Sequence, residues 1–315
     1  MANADGTSRC VLGNEASACG VNGDVCAVCA GNEACSAGGQ CVADPSFDAG
    51  STVPPPDGGT DACSDQAKLV YVLDQDRTLS SFNPMALTAS VEPFTNLGKV
   101  SCPAMPGAEP FSMAVDRSAT AWIVYDSGEL FTVTLTDPAL PCTLTTFVPQ
   151  YGVARFGMGF VADSPGSSDE TLFISGSELN GTLTATKFGT LGVVPPYKVS
   201  IRGTLPGAPE MSGTGDATLW AFFPNVLPPK VAQLDKTNGM PIAHFDAQAL
   251  TGNPRAWAFA FWGGDFYLFL ERDVDLSTQV WKMSGRDGTV TRVLQNTGRH
   301  LVGAGVSTCA PVSIN

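Results

Sequence analysis

Five segments of this 315-residue chain open on charged side chains suited to recognition chemistry. Glu109, Arg155, Glu210, Arg255 and the pair Arg299-His300 recur about 45 to 55 residues apart, each just ahead of an apolar run. Arginine presents a planar fork of donors that matches carboxylate, sulfate or phosphate. Converging side chains of this kind would hold an anionic ligand, for example a uronic acid of an extracellular glycan or a peptide carboxylate. The competing reading is a set of Arg–Glu pairs tying structural units together. A glycoside hydrolase would need two carboxylates, and Glu109 with Glu210 is the pair on offer. A polysaccharide lyase would use His300 or a tyrosine as base and the arginines to neutralise a uronate. A nucleophilic triad finds no support, since His244 and His300 are the only histidines and neither lies near a GxSxG-like elbow.

A second set of acids follows the same runs. Asp116, Asp163, Asp216 and Asp265 recur at one turn position, where aspartate caps its own turn. Asp74, Asp76, Asp126, Glu178, Asn225 and the trio Glu271, Asp273 and Asp275 fall in later loops on the same face as the charged starts. They read as solvated acidic loops, with calcium at Glu271, Asp273 and Asp275 as the sharper alternative. No other cofactor is implied.

The positioning elements are repeated strands. FSMAVDRSATAWIVY (111–125) aligns with FGMGFVADSPGSSDETLFIS (156–175), EMSGTGDATLWAFF (210–223) and WAFAFWGGDFYLFL (257–270). A fifth copy, LVGAGVSTC (301–309), breaks off, and its missing half is KLVYVLDQDRTLSSF (68–82) at the other end of the body. The period fits one four-stranded propeller blade. The fold class is therefore all-β: a β-propeller of five blades, or six if residues 176–205 hide a further unit, closed by pairing the C-terminal strand with the N-terminal ones. Large and small residues alternate in the innermost strands, which lets wedge-shaped sheets converge. Asn238-Gly239 and Asp287-Gly288 mark outer hairpins. Closure brings Cys63 beside Cys309, where a disulfide would lock the ring; Cys102 and Cys142, near outer strands of adjacent blades, are the remaining pair.

Residues 1–41 form a separate head holding Cys10, Cys19, Cys26, Cys29, Cys35 and Cys41, with no aromatic residue. Such a segment cannot bury enough apolar area to fold without covalent staples. Spacing selects no pairing, and a zinc site on Cys26-x-x-Cys29 with Cys35 and Cys41 is the alternative. Residues 42–62, rich in Pro, Gly, Ser and Asp, read as a linker, and 63–315 as the propeller. A net charge of −13 argues against nucleic acid and anionic lipid, which need a basic footprint. No run approaches the ~20 apolar residues of a membrane span. MANADGTSRC lacks the apolar core of a signal peptide, while the cysteines suggest export, so the expectation is a mature chain from which a leader, with or without a lipid anchor, has been removed.

The segments FSMAVDRSATAWIVY, GMGFVAD, LWAFFPNVLPPKVAQLD, AWAFAFWGGDFYLFL and VGAGVSTCAP resemble the secreted β-propeller proteins with Cys-rich heads of myxobacterial-type genomes, over about residues 63–312. That resemblance implies export and a propeller; it implies no established activity and assigns no functional residue. The expectation is a secreted or cell-surface, lectin-like binding module. Exposed Trp262 or Trp281 would stack on sugar rings. A structural surface protein that self-associates through its head is the third class.

Overall fold

The structure is a computed structural model. It describes residues 63–89, 91–148, 155–176, 205 and 208–314, together with the backbone of strands 12–15, 18–21, 33–35, 41–43, 182–186 and 200–204. The chain divides into two compact units, Met1–Thr60 and Asp61–Asn315. In the first unit, β1 (Leu12–Glu15) pairs with β2 (Ala18–Val21) and β3 (Glu33–Cys35) with β4 (Cys41–Ala43), both antiparallel. The state of the six head cysteines, expected to form disulfides with a zinc site as the alternative, lies outside the described residues.

The second unit contains five four-stranded antiparallel sheets. Blade I is built from β5 (Val70–Asp74), β6 (Thr78–Phe82), β7 (Phe94–Lys99) and, innermost, a strand from the other end of the chain. Blade II comprises β8 (Pro110–Val115), β9 (Thr120–Tyr125), β10 (Leu130–Thr134) and β11 (Cys142–Leu144). Blade III follows with β12 (Phe156–Ala162), β13 (Glu170–Gly176), β14 (Thr182–Thr186) and β15 (Ser200–Thr204), so the long 176–205 interval completes this blade and adds no separate sheet among the described residues. Blade IV has β16 (Glu210–Gly213), β17 (Leu219–Phe223), β18 (Lys230–Leu234) and β19 (Pro241–Asp246). Blade V has β20 (Pro254–Trp262), β21 (Asp265–Arg272), β22 (Gln279–Ser284) and β23 (Val290–Leu294). The last strand, β24 (Leu301–Gly305), pairs with β5 as the innermost strand of blade I.

The core proves that the ring closes. It consists of five apolar clusters, and each draws on two neighbouring blades. Tyr71 and Leu79 of blade I pack with Met113 and Ile123 of blade II, and Val72 and Phe82 of blade I pack with Tyr267 and Phe269 of blade V. Every seam is therefore filled, and burial of these faces is the main cohesive force of the unit. Small residues permit the close approach: a Cβ on Gly157 would lie 2.1 Å from Pro209 O, and one on Gly213 would lie 2.1 Å from Phe160 O.

Two disulfides secure this arrangement, Cys63–Cys309 across the closure and Cys102–Cys142 between blades I and II. They fit an oxidising compartment. Among the described residues no helix is long and apolar enough to cross a membrane.

Candidate functional site

A pocket of about 130 Å³ opens at the end of the ring where the inner strands begin. Pro110 and Phe111 of β8, Glu210 of β16, Arg255, Ala256 and Trp257 of β20, and Val302 of β24 line it. Four of the five inner strands thus contribute, which puts the pocket on the ring axis. Within it the carboxyl of Glu210, only 3% exposed, accepts from Ser112 Oγ at 2.9 Å and from the backbone N–H groups of Met158 and Met211. A carboxyl that reaches β8, β12 and β16 at once sits between blades.

Local backbone irregularity aims the lining. The ladders skip one residue between Pro110 and Ser112, between Pro254 and Ala256, and between Leu301 and Gly303. The unpaired residues are Phe111, Arg255 and Val302, and all three line the pocket. A β-bulge re-aims a side chain that regular alternation would send to a blade face. Three bulges at one level of the ring therefore build this mouth.

Desolvation raises the pKa of Glu210 well above the ordinary carboxylate value, and its three hydrogen bonds offset that only in part. Burial thus favours the protonated form of the group, which can donate as well as accept. Arg255, with its side chain 59% exposed, stands at the open side. Its Nη1 is 3.8 Å from Glu271 Oε1 and its Nε 3.9 Å from Asp273 Oδ1, both longer than hydrogen bonds.

The predicted residues divide by position. Glu210 and Arg255 line the pocket; Arg155 is exposed beside it, its guanidinium 5.8 Å above the Phe111 ring. His300 lies one step behind, with Nδ1 2.7 Å from Oε2 of buried Glu271. Glu109 does not join them. It is exposed, and its backbone exchanges hydrogen bonds with Asp126. Arg299 turns toward blade I, 5.0 Å from the Phe94 ring and with Nη1 3.3 Å from Ser80 Oγ.

The acidic trio is engaged with cations or amides. Glu271 meets His300 and Arg255, Asp273 meets Arg255 and Asn253 Nδ2, and Asp275 binds Arg272 at 2.9 Å. No group of three or more metal-type side chains gathers among the described residues. The recurrent aspartates serve locally: Asp116 accepts from the backbone of Ser118 and Thr120 and from Trp122 Nε1, Asp163 from Thr171, Asp216 from Thr214, and Asp265 pairs with Lys282. Glu178 lies outside the described residues.

The expected sugar platforms are otherwise employed. Trp281 is buried between the guanidinium groups of Arg272 and Arg292, and Trp262 donates Nε1 to Lys68 O at 2.9 Å. The aromatic residues that do face the pocket are Phe111 and half-buried Trp257. Sequence reasoning placed both in the blade alternation; each also packs against a core cluster, and Phe111 is in addition a bulged residue.

Fold and site define a five-bladed β-propeller with an axial pocket. No family model and no curated protein matches the chain. Among solved structures, it is similar to the crystal structure of TolB from Acinetobacter baumannii at 12% identity and a TM-score of 0.41. The match covers 72% of this chain and 52% of that one, so the chain spans about half the length of that protein.

Proposed function

We propose that this protein is a binding module that works outside the cytoplasm and takes an anionic ligand at the axial mouth. The observation that carries this reading is the trio of bulges that turns Phe111, Arg255 and Val302 onto one pocket beside Glu210. A rigid closed ring spends little free energy on ordering when it binds, so even a small pocket can select its ligand. Arg255 and Arg155 supply positive charge on two sides of the opening, while Phe111 and Trp257 supply apolar surface. The two disulfides support the compartment, and the secreted, cell-surface setting implied by the resemblance belongs to the same proposal.

Purified full-length chain would be screened against arrays of neutral and acidic glycans and of carboxylate-bearing small molecules and peptides, with and without calcium. Retention of an anionic ligand, weakened by Arg255→Ala at unchanged melting temperature, is the expected result. Retention of neutral ligands alone, or silence across every array, would sink the proposal.

One observation favours a second reading. Burial shifts Glu210 toward its protonated form, the direction a general acid of a glycoside hydrolase requires. Its expected partner Glu109 is exposed and outside the pocket, so this reading lacks a second catalytic carboxylate. Mass analysis of bound glycans separates the two: intact ligand supports binding, and a cleaved one supports hydrolysis.

A further inference from the structure

We infer that the mouth pocket takes an aryl carboxylate, with the aromatic ring seated against Phe111, Trp257 and Val302 and the carboxylate meeting Arg255. This deepens the proposed function and rests on it. Size is the first argument. A volume of about 130 Å³ is close to that of an engineered cavity of about 150 Å³ that holds benzene, and it is small for a glycan chain.

Polar bookkeeping is the second. Five of the seven lining residues, Pro110, Phe111, Ala256, Trp257 and Val302, present apolar walls, and the charged or polar side chains are Glu210 and Arg255 alone. A uronic acid carries hydroxyls on nearly every ring carbon. Each one pressed against these walls without a partner would lose its hydrogen bonds to water, which weakens binding. An aromatic ring has no such groups and gains stacking against Phe111 and Trp257.

The polar ends then match. Glu210 lies at the closed end of the pocket and Arg255 at its open side, so a ligand with a carboxylate pointing outward satisfies the arginine fork while its ring fills the apolar middle. A ring hydroxyl would reach the carboxyl of Glu210, which lines the pocket. The acids beside Arg255 do not monopolise it, since Glu271 is also held by His300 and Asp273 by Asn253. Such a ligand has two natural sources: a free aryl acid, or a protein chain ending in an aromatic residue.

Calorimetry on the full chain at pH 7 would use phenylacetate, 4-hydroxyphenylacetate, phenylacetamide, glucuronate, and a hexapeptide ending in tyrosine with either a free or an amidated C-terminus. We expect both aryl acids to bind at least tenfold more tightly than phenylacetamide and glucuronate. Arg255→Gln should abolish the preference for acid over amide, and Trp257→Leu should weaken both acids at least tenfold while the melting temperature stays near wild type. Tighter binding of the free-ended peptide than of either small acid assigns the source to a protein terminus; the reverse assigns it to a free acid. Glucuronate binding as well as the aryl acids, or an acid preference that survives Arg255→Gln, overturns the inference. If the arrays of the preceding section retain anionic glycans while the aryl acids are silent, the ring assignment fails and the anionic mouth stands; silence in both removes both.

Discussion

Each end of the propeller shields a glutamate, buried Glu210 at one and half-buried Glu170 at the other, and the two are treated in opposite ways. At the mouth, Glu210 has only neutral partners, Ser112 Oγ and two backbone N–H groups, and shares an apolar pocket. At the far end, Glu170 opens β13, where Oε1 accepts from Arg117 N and Oε2 from Thr308 Oγ, both at 2.8 Å. Arg117 continues the network with Nη1 on Thr308 Oγ at 3.1 Å and Nη2 on Cys63 Sγ at 3.2 Å. Glu170 is thus stitched to the closure disulfide. Burial raises both acids, but at Glu170 the two hydrogen bonds and the Arg117 charge hold the rise to about 7, despite the nearby charge of Asp116. One end spends its polar groups on closing the ring, and the other leaves them facing a pocket. The proposed binding mouth is the end whose glutamate has only neutral partners.

The strongest way to break this contrast is to cut the closure. Replacing Cys63 and Cys309 together by serine frees a crosslink of sequence separation 246, for which chain entropy gives a loss of about 5.5 kcal/mol. Removing Cys102 and Cys142, separated by 40, should cost about 4 kcal/mol on the same reasoning. Urea unfolding of the two variants checks the order. A smaller loss at Cys63–Cys309 would mean that strand pairing and seam packing close the ring unaided.

Both glutamates are read by pH. A carboxyl whose folded pKa is raised contributes stability in full below its unfolded pKa and loses it as pH rises through the folded one. For both the decline begins above about 4.5, and for Glu170 it runs through about 7. Both glutamine variants should match wild type near pH 4.5. At pH 9 both glutamine variants should exceed wild type, Glu170→Gln with a ceiling of about 3 kcal/mol. Urea titrations from pH 4.5 to 9 read this directly: each substitution should flatten the fall in stability above about 4.5, Glu170→Gln through about 7. A slope that neither substitution changes would show that burial shifts neither acid.

The architecture was legible in the sequence because its cause is repetitive. Wedge packing demands small residues wherever inner strands converge, and the alternation through Gly157, Gly159 and Gly213 writes that demand into the chain. The broken fifth repeat at 301–309, with its complement at 68–82, showed where closure must occur, hence the Cys63–Cys309 pair. The mouth was legible only as a level in the ring. Which way a side chain points there depends on bulges, and a single skipped residue reverses the alternation. Arg255 and Phe111 turn into the pocket because they are bulged, and Arg299, before β24, instead lies on Phe94. No spacing of charges records that difference. The aromatic walls were hidden because Phe111 and Trp257 read like the other large residues of their strands and do pack against the core.

The smallest expected effect is the most discriminating. Arg117 and Arg255 each stand beside a glutamate, half-buried Glu170 at one end and buried Glu271 at the other. Arg117→Ala removes bonds to Thr308 Oγ and to the disulfide sulfur, and leaves Glu170 with its backbone donor but without the balancing charge. A loss of about 1 to 2 kcal/mol follows from hydrogen bonds of this kind. Arg255 is half exposed, its ion pairs are long, and Glu271 keeps His300 when the guanidinium is gone. Arg255→Ala should therefore cost less than about 1 kcal/mol, as exposed pairs do. Urea unfolding and ligand binding measured on the same two proteins complete the contrast: Arg117→Ala should lower stability and spare binding, and Arg255→Ala should do the reverse. Equal destabilisation by both would make Arg255 a strut between blades and leave the mouth without its anion-binding group.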